Sequence, residues 1–260
     1  MIDSHCHIDL PDFDADRADV LHACKIANIE KLLVPGLSIE QFSLLIKLSS
    51  NYPQQIDIAL GCHPYFLTAL SHENAEVLKS NLFELGLTYK DKIVAVGECG
   101  LDGSLALSMA YQEKILAWHI DLASNIKKPL VLHHRQSHNQ LIRLLKLKRY
   151  TLGGVIHAFS GSENIAKTYV DMGFKLGVGG TITYPRAEKT IATIKKLSLE
   201  HLLIETDSPD MPIKGFQGQR NSPLQTIAVA KALAQLKGIS VEEVEKQSTE
   251  NYYRLFSKTT

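Results

Sequence analysis

The chain has 260 residues and a mass of 28.9 kDa, long enough to bury a core without help from disulfides or a structural metal. Hydrophobic residues at 45% and charged residues at 22% exclude a disordered or collagen-like chain. Lys plus Arg and Asp plus Glu stand at 28 each, and a net charge of zero excludes a strongly basic nucleic-acid wrapper while leaving room for a local positive site.

In chain order, short apolar runs alternate with longer amphipathic stretches. Strands are predicted at 2–5, 31–35, 56–61, 93–98, 130–133, 154–157, 174–178 and 202–206. Helices are predicted at 16–28, 39–50, 74–86, 108–126, 137–147, 163–172, 187–196, 223–236 and 240–255. The strand interiors are rich in Val, Ile and Leu, as parallel strands covered on both faces require. Eight βα units of about 32 residues each argue for a (β/α)8 TIM barrel, with 1–260 expected as a single domain. The irregular stretch SPDMPIKGFQGQRNS (208–222) is expected to lie as a loop over the barrel mouth.

Barrels of this kind build their sites at the C-terminal strand ends. His5 and His7 end strand one, Glu98 ends strand four, His133 strand five, His157 strand six and Asp207 strand eight. The i, i+2 spacing of His5 and His7 puts both imidazoles on one face and turns Cys6 the other way. A lone strand histidine is ordinarily a satisfied core group and a lone aspartate a helix cap. Six such residues at one end of one barrel point instead to a site for Zn, Mn or another divalent ion.

His63, in Gly61-Cys62-His63-Pro64, ends strand three, and Arg135 follows strand five. Each is a candidate for gripping a substrate phosphate, set against a structural role. His134 alternates away from His133 and is assigned to packing or the rim. Gly177-Val178-Gly179-Gly180 lacks the spacing of a dinucleotide fingerprint, so no nicotinamide or flavin cofactor is expected. Its backbone N–H groups, and those of Ser160-Gly161-Ser162, are candidate anion contacts that could equally be a turn and a cap. His22, His72, His119, His138 and His201 fall on helices, where solvated faces are expected.

The cysteines Cys6, Cys24, Cys62 and Cys99 show no CxxC spacing and are expected as reduced thiols. With no leader-like start and no apolar run approaching the ~18 residues of a spanning helix, a cytoplasmic monomer is expected.

The segments DSHCH (3–7), GCHP (61–64), VGECGLD (96–102), PLVLHHR (129–135), GVIHAFSGS (154–162) and LIETDSP (203–209) resemble the motifs of the TatD-related deoxyribonucleases, metal-dependent hydrolases with a TIM barrel fold. GVGGTITYPRA (177–187) and DMPIKGFQGQ (210–219) look most like the YjjV-like branch of that family. The resemblance runs from residue 2 to about residue 255. It implies that His5, His7, Glu98 and Asp207 hold one divalent ion (Zn, Mn or Mg) and Glu98, His133 and His157 a second, with Glu98 bridging. It also implies a 3′ to 5′ exonuclease-like activity on single-stranded DNA ends. Two ions about 3.5–4 Å apart suit in-line displacement at phosphorus. Asp207 is the candidate general base, and Glu205, on the same face, is placed to orient a histidine ligand.

The chain departs from the common family pattern at Gly103, in the short 103–107 segment and at Ser222, positions that bear on substrate choice and leave the metals untouched. Neither a basic excess nor an aromatic stacking platform is visible, so the residues support phosphoester hydrolysis more firmly than they support DNA. The competing expectations are a small-molecule phosphoesterase, an amidohydrolase cutting a C–N bond, and a non-catalytic barrel. Glu98 stands where amidohydrolases often carry a modified lysine, and retention of all six donors speaks against a degenerate barrel.

Overall fold

The computed structural model of the protein describes residues 1–69 and 75–256. Strands β1 (Ile2–Asp3), β2 (Lys31–Pro35), β3 (Ile56–Leu60), β4 (Ile93–Asp102), β5 (Leu130–Arg135), β6 (Gly154–Ile156), β7 (Phe174–Val178) and β8 (Leu202–Ile204) alternate with helices. The helices are α1 (Arg17–Ile26), α2 (Phe42–Asn51), α3 (Ala75–Thr88), α4 (Met109–Ile126), α5 (His138–Leu147), α6 (Glu163–Asp171), α7 (Glu188–Lys196), α8 (Thr226–Lys237) and α9 (Val241–Phe256). All strands run parallel in the order β1 to β8. The seam between the two ends of the chain is drawn together by Ser4 N–H donating to Ile204 O at 3.0 Å and Asp207 N–H donating to His5 O at 2.9 Å. The result is a (β/α)8 TIM barrel.

Strand alternation divides the apolar residues into two packings. Leu33, Ala59, Ala95, Val131, Val155 and Leu203 fill the barrel interior, where Ile2 and the α9 side chains Tyr252 and Phe256 join them. Their strand neighbours, such as Leu132, Ile156 and Ile204, face the helix ring. The α9 plug is pinned by Tyr252, whose hydroxyl donates to Asp57 Oδ2 at 2.7 Å, and by Asn251 Nδ2, which donates to Leu202 O at 2.8 Å.

This alternation aims the site. His63 shares the parity of Ala59, His133 that of Val131, His157 that of Val155, and Glu205 and Asp207 that of Leu203, so all point up the barrel axis. Glu98 breaks the rule, because three positions separate it from the inward Ala95. The register of β4 against β5 shifts between Val96 and Cys99, and this irregularity swings Glu98 inward. Only glycine fits at the turn: Gly97 has φ +148°, and a Cβ there would lie 2.4 Å from Val131 O.

Four predicted strands, β1, β3, β6 and β8, are shorter than expected at their C-terminal ends. β4 and β5 are longer than expected and reach Asp102 and Arg135. Residues 205–222 form neither helix nor strand. They are tied down by Asn221 Nδ2, which donates to Thr206 O and Asp210 O, and by Arg220, which pairs with Asp16 at 2.6 Å.

Two helical histidines do not lie on solvated faces. His119 is 0% exposed: Cys62 N–H donates to its Nε2 at 3.0 Å and its Nδ1 donates to Ile115 O at 2.9 Å. His138 is bonded to Ser160 O and Tyr169 Oη. His22 is exposed and His201 partly exposed, while His72 lies outside the described residues. All four cysteines are free and buried. No described helix is long and apolar enough to cross a membrane.

Candidate metal centre

Glu98 stands at the middle of the barrel mouth, buried, with each carboxylate oxygen facing its own set of donors. Oε2 lies 3.2 Å from His5 Nε2 and 3.5 Å from His7 Nε2. Asp207 Oδ1 lies 3.5 and 3.7 Å from the same two nitrogens, which are 3.2 Å from each other. A four-coordinate ion with bonds near 2.1 Å spaces its ligand atoms roughly 3.4 Å apart, so this donor set fits one. The other oxygen, Oε1, lies 3.0 Å from His157 Nε2, 3.2 Å from His133 Nδ1 and 3.4 Å from His63 Nε2. Among the described residues, the groups His5/His7/Glu98 and His63/Glu98/His133 each bring three donor atoms within 4.8 Å of one another.

Burial and neighbouring charge prepare these groups. Burial alone would raise the Glu98 carboxyl, but the imidazoles of His157, His63 and His5 outweigh it and hold it well below the ordinary range. Burial, with His157 alongside, pushes His5 down to about 4, and burial pushes His63 down to about 3. Asp207 is raised by burial against the pull of His157, His5 and His7. It also holds φ +56°, a backbone conformation that aspartate tolerates better than most residues, at the point where β8 meets β1.

Outer carboxylates stand behind two of the rings, His157 and His133. Glu205 Oε1 accepts Ala158 N–H at 2.5 Å and lies 3.6 Å from His157 Nδ1, on the edge of the ring turned away from Glu98, where it would orient the ring once Nε2 holds an ion. Gly177 leaves space for this carboxylate, since a Cβ there would meet Glu205 Oε2 at 2.1 Å. Asp102, which sequence reasoning missed, does the same for His133: its Oδ2 lies 3.5 Å from His133 Nε2 while its Oδ1 accepts Ser104 N–H and Oγ–H at 2.8 and 2.6 Å. Its signal was present, because Asp102 is four residues beyond Glu98 and shares its face once β4 is extended past the bulge.

His63 differs. Tyr65 N–H donates to its Nδ1 at 3.1 Å, so in the neutral ring Nε2 carries the proton and acts as a donor rather than a ligand. Arg135 is exposed at the rim of the same cleft, and His134 is buried on the opposite parity, stacked on His138 with ring centroids 4.2 Å apart. The cleft has a volume of about 790 Å³. Two aromatic residues that the sequence reading did not single out, Tyr65 and Phe66, stand on its wall at 60% and 43% exposure.

The family model described as TatD related DNase matches residues 2–257. An uncharacterized metal-dependent hydrolase of Escherichia coli (strain K12), YjjV, is 41% identical over 258 residues, covering 98% of this chain and 97% of that one. Human deoxyribonuclease TATDN3 is 32% identical over 266 residues, covering 99% and 95%. The crystal structure of YjjV superposes with a TM-score of 0.92 at 39% identity, covering 100% of this chain and 98% of that chain. On its motifs, its barrel and these likenesses, the chain belongs to the TatD-related DNase family of metal-dependent hydrolases.

Proposed function

We propose that the chain hydrolyses phosphodiester bonds of DNA, working from a 3′ end, with two divalent ions held across Glu98. The observation that carries this reading is the division of one buried carboxylate between two donor sets. His5, His7, Glu98 and Asp207 would hold one ion, and Glu98, His133 and His157 the other. Bound there, divalent ions supply Lewis-acid stabilisation of phosphoryl oxygens and make water acidic enough to be deprotonated near neutral pH.

The side chains do the rest. Asp207, with its raised proton affinity, takes the proton of the attacking water as the new P–O bond forms and the bond to the leaving sugar oxygen breaks. Glu205 and Asp102 keep the rings of His157 and His133 in their ligating tautomers. His63 Nε2–H donates to a phosphate oxygen, leaving the second donor set with the open position a catalytic site needs. Arg135 at the rim takes a neighbouring phosphate. The four buried, unpaired thiols accord with work in the cytoplasm.

The test is hydrolysis of a 5′-labelled single-stranded oligonucleotide by metal-stripped protein to which Mg, Mn or Zn is returned, with Glu98→Ala as control. A ladder shortening from the 3′ end, absent in the variant, is expected. Intact DNA in the presence of bound metal would transfer the site to small phosphoesters or amides.

A further inference from the structure

The mouth of the barrel is chemically lopsided. On one side of Glu98 the end of β3 presents Tyr65 and Phe66, with Leu37 from the end of β2 on the same wall. On the other side the end of β5 presents Arg135, with Ser160 beyond β6. Because strands follow one another in order around the barrel, the β4 carboxylate lies between an aromatic wall and a cationic one. The two aromatic rings stand edge to face, 5.4 Å apart at 80°, and Phe66 lies 6.4 Å from the ring of His63. Exposed aromatic side chains are costly ornaments on a polar rim, and the loop holds them within two and three residues of the phosphate-facing His63. The cleft of about 790 Å³ accommodates a nucleotide or two but not a duplex.

We infer that Tyr65 and Phe66 form a stacking platform for the base of a nucleotide flanking the cleaved phosphodiester, so that the site holds its substrate by a base as well as by phosphate. This rests on the phosphodiesterase reading above and supplies the aromatic surface that the sequence pattern did not reveal. Every base offers a π face, so the platform selects for an unpaired end without selecting its sequence. The apolar wall takes the base, His63 and Arg135 take phosphates, and the bond between them lies over Glu98.

The test uses the holoenzyme and two sets of strands. One is an ordinary single-stranded oligonucleotide; the others carry an abasic sugar at the 3′-terminal or the penultimate position. For the wild type, kcat/KM is expected to fall about tenfold for one of the two abasic strands, the size typical of one base–aromatic stack. In the double variant Tyr65→Ala/Phe66→Ala that discrimination is expected to vanish, mainly through KM, and Tyr65→Phe/Phe66→Tyr is expected to restore it. Fluorescence of a terminal 2-aminopurine gives a second readout: it should fall on mixing with excess wild type, before cleavage, and not with the double alanine variant. Discrimination that survives in the double variant, or that is missing in the wild type, overturns the platform while leaving the nuclease reading standing. Failure of the wild type to cut any of the strands with metal bound overturns both.

Discussion

Asp102 lies 3.5 Å behind the ring of His133, on the edge opposite Glu98, which is 3.2 Å away on the other side. Two flanking carboxylates favour the doubly protonated ring, and once an ion takes Nδ1 it is Asp102 that would keep the remaining proton on Nε2. Burial would raise the Asp102 carboxyl, but its bonds with His133 and Ser104 prevail and keep it ionised. Asp102→Asn is expected to weaken one of two bound ions about 10- to 100-fold, the usual effect of losing an outer carboxylate. Competitive metal titration of the variant checks this; two unchanged affinities would remove Asp102 from the site.

Glu98 is the shared member of the two donor sets. Glu98→Ala is expected to lose both ions, whereas His157→Ala weakens mainly one. Metal content by mass spectrometry after dialysis distinguishes them, and equal single-ion losses in the two variants would contradict bridging.

Gly177 is where a single methyl group tests the outer shell of charge. Its added Cβ would overlap Glu205, a carboxylate buried at 0% exposure with no slack to retreat. Gly177→Ala is expected to cost about 1–3 kcal/mol of stability. The same change should loosen the ion held by His157, read as a lower melting temperature together with weaker metal retention.

His119 makes stability depend on pH. Burial pushes it down to about 4, so in the folded chain it stays neutral where an unfolded histidine, near 6.5, would already be charged. Between those two values the unfolded state binds more protons, and stability falls as pH is lowered from 6.5 toward 4. The full difference is at most about 3 kcal/mol. In His119→Gln, which can still accept the Cys62 N–H, this part of the slope should disappear when denaturant melts at pH 7 and pH 4.5 are compared with those of the wild type.

Most of the architecture was legible because period-two alternation and helical periodicity survive in the strands and helices that build it. The inward aim of His133, His157 and Asp207 follows from counting residues along β5, β6 and β8. Glu98 is different: counting from Ala95 points it outward, and only the register shift between Val96 and Cys99 turns it in. That local irregularity left its trace in Gly97, but a glycine alone does not say which way a strand slips. Asp102 was hidden by the same stretch, since a strand read as ending at 98 leaves it in a loop. His119 was misread because a polar residue on an amphipathic helix looks solvated unless a buried backbone N–H needs an acceptor, and that N–H, from Cys62, belongs to a distant strand end. The Tyr65–Phe66 pair carries no periodic signature; only the three-dimensional neighbourhood shows it facing the cleft.

The seam joining β1 to β8 has a kinetic meaning. His5 and His7 precede Asp207 by 202 and 200 residues, yet their donor atoms end within 3.7 Å of each other. Pairings of such long sequence separation are slow to form and come late. Until this seam closes, the His5, His7 and Glu98 donors lack Asp207, and cation affinity becomes a gauge of barrel closure: whatever binds across that seam strengthens the joint between β1 and β8.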